Sequence, residues 1–477
     1  MSFKEQSFSA CTSMLVGRKA SIDGSIMIAR NEDAKTAWPK HFKVYPHTDH
    51  NDKQVFISPD NGFTMELPQT SGRYTATPEW TDKYGIFAED GFNEYGVAMS
   101  ATESAYANER VLGADPLISD GIGEEAMITV TLPYIHSARE GVQYLGRIVE
   151  EKGASESNGI LFADQKDAWY MEIATGHHWV AQRIPDDSYA VVANQLAIQE
   201  IDFSDKDNFL YSTGITEFVS LNNLNTATDS FNFRNIFGTQ DLSDAIYSTP
   251  RVWYGQKYLN PEIEQNPMSQ ELPFIRKANR LISREDVEFI LGSHFQGTDY
   301  DPIGQGPADL KHKFRPISLA KTQESHILQI RPNLPLELAG IQWLALGVTA
   351  QSIFVPFYAA INDTPESYKK GAATYSSDSA YWKYKLLGIL VDSNYLEFGQ
   401  KLKTMQKEIR IELNRRIREI DQHIQSDVKS ENKGELLTKY SNENALYASR
   451  KVEELTAQLI TEATAFSPLD FKTDANL

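Results

Sequence analysis

The sequence predicts an α+β fold, and three observations carry the prediction. Short apolar, strand-like segments recur at 8–12-residue spacing between residues 84 and 193. The helical patterns come in groups instead of alternating with those strands. From residue 379 onward the composition changes to long amphipathic helix. The 477 residues are 41% hydrophobic and 23% charged, enough for a sizeable core. With 46 Lys+Arg against 65 Asp+Glu the net charge is −19, which argues against binding phosphate backbones or anionic membranes.

Taken in order, residues 1–10 carry Lys4, Glu5 and Gln6 and lack the apolar stretch of a signal peptide, so they read as a leader that is not a targeting signal. Residues 12–16 and 25–29 are β-forming and flank Asp23-Gly24, a hairpin signal. A strict two-residue turn there would set Arg30 opposite Gly17 and Cys11 opposite Thr36. Asp33 would then lie about 10 Å along the strand from the Cys11 level. Bringing the two ends together requires a bulge or a wider loop, and Gly17 is a natural place for one.

Residues 38–80 are aromatic and irregular. Residues 84–88 and 96–101 read as a second hairpin connected through residues 90–96. A helix is expected within 122–150, clearest over 137–150 and ending near Gly153. Strands are expected at 160–163, 168–173, 179–183 and 189–193, the last ending at Asn194-Gln195. Ser283, followed by Arg284, Glu285 and Asp286, reads as a capped helix start. Residues 326–330 read as a strand. Residues 338–362 carry no charge, but Gln342, Gln351, Ser352 and Pro356 and the absence of a flanking basic cluster favour a buried core segment over a membrane span. Leu402, Met405, Ile409, Leu413, Ile417, Ile420 and Ile424 form one helical stripe, and Ala445, Ala448, Val452, Leu455 and Leu459 form another. The expected pair of helices over 398–465 is broken at Gly434. The chain thus divides into a leader (1–10), a main region (11–375) and a helical extension packed on it (376–477).

Several chemistries have no sequence support. There is no Walker loop, zincin motif, nucleophile elbow or calcium loop. Gly121-Ile-Gly123-Glu-Glu-Ala126 matches a dinucleotide fingerprint by letter, but no strong strand precedes it and two acids would face the pyrophosphate. His177-His178 lacks supporting ligands. Neither a cofactor nor a metal is expected. The one cysteine, Cys11, excludes a disulfide framework and suits a reducing compartment, so a cytoplasmic protein is expected. A free Cys is usually an inert small hydrophobe. If the bond after Ala10 is cut, however, Cys11 gains an α-amine with a pKa of about 7.7–8 and holds nucleophile and base in one residue. Its thiol, attacking the Ala10 carbonyl, could do the cutting.

Cys11-Thr12, the Asp23-Gly24 turn and Ala29-Arg30-Asn31-x-Asp33 resemble the N-terminal signature of the C69 dipeptidases of the bacterial dipeptidase A group. These are N-terminal-nucleophile hydrolases related to penicillin V acylases and bile salt hydrolases. The likeness continues through Gly91-Phe-Asn93-Glu-x-Gly96, Val192-Ala-Asn194-Gln195 and Ser248-Thr-Pro-Arg251-Val-Trp253. It then runs through His294-Phe-Gln-Gly-Thr298-x-Tyr-Asp301, Ser325-His-Ile-Leu-Gln-Ile-Arg331 and Ile353-Phe-Val-Pro356-Phe-Tyr358.

The resemblance implies a four-layer αββα sandwich with the C-terminal helices appended or used in homo-oligomer contacts. It implies a metal-independent cysteine dipeptidase acting on small peptides through a thioester. Cys11 would attack the amide carbon, Arg30 would stabilise the thiolate and Asp33 would hold the α-amine. Asn194 would donate to the oxyanion, and Arg251 would complete the polar network. His294 and Asn93 are candidates for substrate contact, Asn93 being also a turn residue of the kind that tolerates positive φ. Two features depart from the acylase relatives. Thr102-Glu103 stands where a second oxyanion donor is expected, and an ionised Glu cannot donate; a backbone N–H such as that of Thr12 could serve instead. The interval from Cys11 to Arg30 is also longer. An N-acyl amidase on the same scaffold, or a catalytically silent binding protein with its leader retained, are the alternative readings.

Overall fold

The computed structural model describes residues 10–103, 105–426, 432–467 and 469. The expected leader, except the backbone of Ala10, lies outside the described residues. The chain opens with β1 (Ala10–Val16) and β2 (Ile26–Asp33). Next come β3 (Asp90–Phe92), β4 (Ala98–Glu103), α1 (Glu124–Thr131) and α2 (Ala138–Lys152). Strands β5 (Asn158–Ala163), β6 (Ala168–Ile173), β7 (Trp179–Arg183), β8 (Tyr189–Val192) and β9 (Phe209–Tyr211) follow. Then come α3 (Thr249–Leu259), β10 (Ile275–Arg276), α4 (Arg284–Leu291), β11 (Thr322–Ile330), β12 (Gly340–Leu346) and β13 (Val355–Tyr358). Three helices close the chain: α5 (Ala380–Ser393), α6 (Tyr395–Ser426) and α7 (Lys433–Ala463).

Two antiparallel sheets stack face to face. One has the order β10-β8-β1-β2-β11-β12-β13 and the other β9-β7-β6-β5-β4-β3. Strand alternation sorts the side chains. Leu15, Ile26, Ile28 and Leu328 from the first sheet meet Leu161, Tyr170 and Val180 from the second in a core between the sheets. The outer face of the second sheet, with Met99, Phe162 and Met171, is covered by α1 and α2 through Met127, Val142 and Leu145. The outer face of the first sheet, with Met14, Met27 and Ile341, packs under α3, α4 and the C-terminal helices. The result is the expected αββα sandwich. The stripes on α6 and α7 are buried against that face in the same apolar cluster, and each large aliphatic contributes about 1.5–3 kcal/mol by leaving water.

The wider loop that the first hairpin requires is present. Residues 17–25 form it, and Gly17 sits against the 185–186 backbone, where a Cβ would meet the Pro185 oxygen at 2.4 Å. The register therefore pairs Ala10 with Asp33, Cys11 with Glu32 and Ser13 with Arg30, in place of the two-residue-turn pairing. Ser137 and Ser283 cap α2 and α4, the latter in a reciprocal capping box with Asp286.

Some expectations are corrected. Residues 84–88 form no strand, because Phe87 and Glu89 take positive φ values of 43° and 61° and the segment bends so that Glu89 enters the sandwich. The break between the two long helices falls before Gly434, which is the second residue of α7. As expected, the uncharged 338–362 stretch is a core segment, a buried pair of strands with short helical turns, and no described helix is long and apolar enough to cross a membrane.

Candidate active site

Cys11 and Arg30 belong to the faces of β1 and β2 that look into the sandwich, at the strand ends where the apolar core gives way to charge. Both are almost completely buried. Arg30 Nη1 lies 3.1 Å from the Cys11 sulfur and 3.3 Å from Glu124 Oε1, so one nitrogen bridges the two. Nη2 pairs with Glu89, and Nε donates to Ser100 Oγ at 3.0 Å. Lys40 Nζ contacts Glu89 Oε1 at 3.0 Å, Glu32 Oε1 at 2.9 Å and the Phe87 carbonyl at 3.2 Å, holding the bent segment in place.

These charges are desolvated, which would be costly without partners. Burial opposes the Arg30 charge, yet the proximity of Cys11, Glu89 and Glu124 holds its proton well above the ordinary range. Burial likewise opposes ionisation of Glu89, but Lys40 and Arg30 outweigh it and keep this carboxylate charged. Glu32 and Glu124 are pushed up, chiefly by burial. Behind Arg30, burial pushes Asp90 up to about 6 and Glu324 up to about 8, and pushes His326 down to about 4. Asp90, Glu324 and His326 are close enough together to hold a cation.

On the other side of the hairpin, Asp33 stands across from Ala10, the residue before the proposed cleavage point. Its carboxylate receives hydrogen bonds from Arg315 and from the Thr322 hydroxyl. Arg251, on α3, donates through Nη1 to the Cys11 carbonyl at 2.6 Å and to Thr12 Oγ1 at 2.9 Å, and through Nη2 to Asn194 Oδ1 at 2.5 Å. Asn194 Nδ2 is buried with no hydrogen-bond partner among the described residues.

Cys11, Arg30, Asn194 and Arg251 thus form one connected set, with Asp33 one ladder pair away. His294 is not brought into it. It follows α4 and is held by Asp301 Oδ1 at 2.8 Å, lining a separate cavity of about 590 Å³ with Trp343 and Gln406 under the C-terminal helices. Asn93 is not available for a substrate either. Its Nδ2 donates to the Leu132 and Ile135 carbonyls, and its Oδ1 accepts from the Tyr95 and Val97 amides. In that turn Gly96, at 80°, takes the positive φ, not Asn93. Thr102 lies on β4 and its carbonyl accepts from Asn158, while the Glu103 side chain is outside the described residues.

Sequence reasoning missed Lys40, Glu89, Ser100 and Glu124. Glu124 lies in the Gly121–Ala126 stretch that matches a dinucleotide fingerprint by letter alone, and His326 lies in the Ser325–Arg331 motif, which by itself gives it no role. Lys40 and Glu89 had no local signal, because their partners are distant in sequence.

The model of peptidase family C69 matches residues 10–408, covering both sheets and reaching into α6. The chain belongs to this family. A probable dipeptidase of Latilactobacillus sakei is 49% identical over 470 residues, 98% of each chain. Probable dipeptidase B of Lactococcus lactis is 41% identical over 469 residues, 97% of each chain. Dipeptidase A of Lactobacillus helveticus is 42% identical over 396 residues, 82% of this chain and 83% of that one. Among solved structures, penicillin V acylase from Agrobacterium tumefaciens matches at 16% identity and a TM-score of 0.34, covering 73% of this chain and 85% of that one.

Proposed function

We propose that this C69 peptidase is a cysteine dipeptidase whose nucleophile is Cys11, exposed as an N-terminus by removal of residues 1–10. The observation that supports it most directly is the contact of Arg30 Nη1 with the lone thiol at 3.1 Å, in a sealed polar cluster. A cation at that distance stabilises negative charge on sulfur. The α-amine freed by cleavage would take the thiol proton while sulfur attacks the peptide carbon. Asp33, opposite the vacated Ala10 position, would then face that amine.

As the carbonyl oxygen becomes an oxyanion, Asn194 Nδ2 is the donor free to meet it. The ammonium formed on Cys11 next gives its proton to the leaving amine, and the first amino acid of the substrate stays on sulfur as a thioester. Water, deprotonated by the same amine, releases it. The same attack on the Ala10 carbonyl would remove the leader. Small peptides are the proposed substrates, and self-association through the C-terminal helices is the proposed assembly.

Intact mass and dipeptide hydrolysis, measured on one preparation, test this reading. Active protein beginning at Cys11, with Cys11→Ala inactive and keeping its leader, is the expected result. Full dipeptidase activity in Cys11→Ala, or an active chain still carrying residues 1–10, would sink it.

A further inference from the structure

The hydrogen bonds behind Arg30 form one continuous buried chain. A guanidinium has donors and no acceptor, so the Ser100 hydroxyl, 3.0 Å from Arg30 Nε, must accept there. That leaves Ser100 Oγ its proton and a second lone pair, and His326 Nε2 lies 3.0 Å away as its partner on that side. A neutral imidazole with its hydrogen on Nδ1 accepts the Ser100 proton at Nε2 and donates to Glu324, which uses every polar group of the chain. Nδ1 faces the two Glu324 oxygens at 3.0 and 3.1 Å, with Asp90 Oδ2 at 3.7 Å. Ser100, His326, Glu324 and Asp90 are all sealed from solvent, and burial disfavours a charged imidazole at this position.

The strands explain why these residues meet. His326 on β11 is the direct ladder partner of Arg30 on β2. Ser100 reaches across from β4 of the facing sheet and touches both.

We propose that Ser100 and His326 are positioning residues for the reaction, orienting the Arg30 guanidinium so that Nη1 points at the Cys11 sulfur. The proposal rests on the reading of Cys11 as nucleophile. Glu89 and Glu124 hold Nη2 and Nη1, but rotation of the fork about its stem is fixed by Nε, whose partner is Ser100. A serine hydroxyl by itself is a free rotor. The hydrogen bond to His326 Nε2 stops it, and Glu324 in turn stops the imidazole from turning over. A purely structural link between the sheets would affect stability and leave the chemistry at sulfur unchanged.

Two readouts test the proposal: the split between kcat and KM for dipeptides, and the rate at which iodoacetamide alkylates Cys11 in the purified protein at neutral pH. Cys11 is the one cysteine in the chain, so the added mass reports it alone. Ser100→Ala and His326→Leu should each lower kcat by about 10–100-fold, the scale typical of an outer support for a reactive group. KM should stay within about twofold, and alkylation should slow in parallel. His326→Gln, which can offer an amide oxygen near the position of Nε2, should recover to within about threefold of wild type. The double variant should be no slower than the slower single, because both cut one chain.

Folded variants with wild-type alkylation and kcat, losses confined to KM, or losses that multiply in the double variant would overturn the proposal. If His326→Leu does not fold, the contrast between Ser100→Ala and His326→Gln still decides. Alkylation needs no substrate. Slowed labelling in Ser100→Ala alongside a wild type inert toward dipeptides would therefore refute the substrate reading and support the positioning role.

Discussion

Arg251 Nη2 donates to Asn194 Oδ1 at 2.5 Å, and this contact settles which way the Asn194 amide faces. A guanidinium can only donate, so the oxygen must meet it and Nδ2 must point elsewhere. Leaving a buried N–H unpaired costs about 1–3 kcal/mol, a penalty relieved when an anionic oxygen arrives. Asn194→Ala should lower kcat by about 10²–10³-fold with KM changed only a few-fold, the signature of a donor used in the transition state. Steady-state kinetics on a dipeptide checks this; an unchanged kcat would remove Asn194 from the oxyanion site.

Arg30 links one thiol, one hydroxyl and two carboxylates within the sandwich. Arg30→Leu leaves buried Glu89 with Lys40 alone, removes the cation beside Glu124, and should lower stability by about 3–5 kcal/mol in denaturant melts. Arg30→Lys keeps the charge but cannot span the same partners. It should retain more stability than Arg30→Leu while still losing most turnover, which paired melts and kinetics will separate.

Gly91 sits where β3 passes the Thr75 backbone, and a Cβ there would lie 1.8 Å from the Thr75 oxygen. Gly91→Ala should cost about 3 kcal/mol by forcing β3 away from its neighbour, and activity should fall because Glu89 and Asp90 adjoin that strand. Gly113 has nothing within 4 Å of the same added atom, so Gly113→Ala should leave stability equal or higher by less than about 1 kcal/mol. Urea midpoints of the two variants give the comparison.

Glu172 is buried on β6 and accepts from the Ala197 and Ile198 amides at 2.6 and 3.2 Å. Burial pushes its carboxyl up to about 8 from the ordinary 4.5. The folded state therefore keeps a proton that the unfolded chain releases. The associated stability is full below the unfolded value and is lost as pH rises from about 4.5 towards 8, with a slope of up to about 1.4 kcal/mol per pH unit. Glu172→Gln should flatten that fall, so the wild-type and variant curves should converge toward acid and separate toward pH 8. Urea melts across this range would show parallel curves if Glu172 did not carry the effect.

Local patterns made much of this protein legible. The short apolar runs marked β5 to β8, the serines before α2 and α4 marked their caps, and the apolar stripes of α6 and α7 fixed the faces they bury. The lone Cys11, with Arg30 and Asp33 at the end of the next strand, already pointed to the site, and the geometric conflict with a two-residue turn correctly required the wide loop at 17–25. His294 and Asn93 misled, because a motif shows which residues occur together but not which of their hydrogen bonds are already used.

Only the tertiary structure decided which charges meet. Lys40, Glu89, Ser100, Glu124 and His326 come from separate segments, and no periodicity links them. The stacking of the two sheets brings Ser100 within 3.0 Å of both Arg30 and His326. The positive-φ bend at Phe87 and Glu89 inserts a carboxylate where a strand was expected. Strand and helix preferences act over a few neighbouring residues and can be read along the chain. The partner of a buried charge is set by which strands lie adjacent or face to face, and only the folded sandwich fixes that.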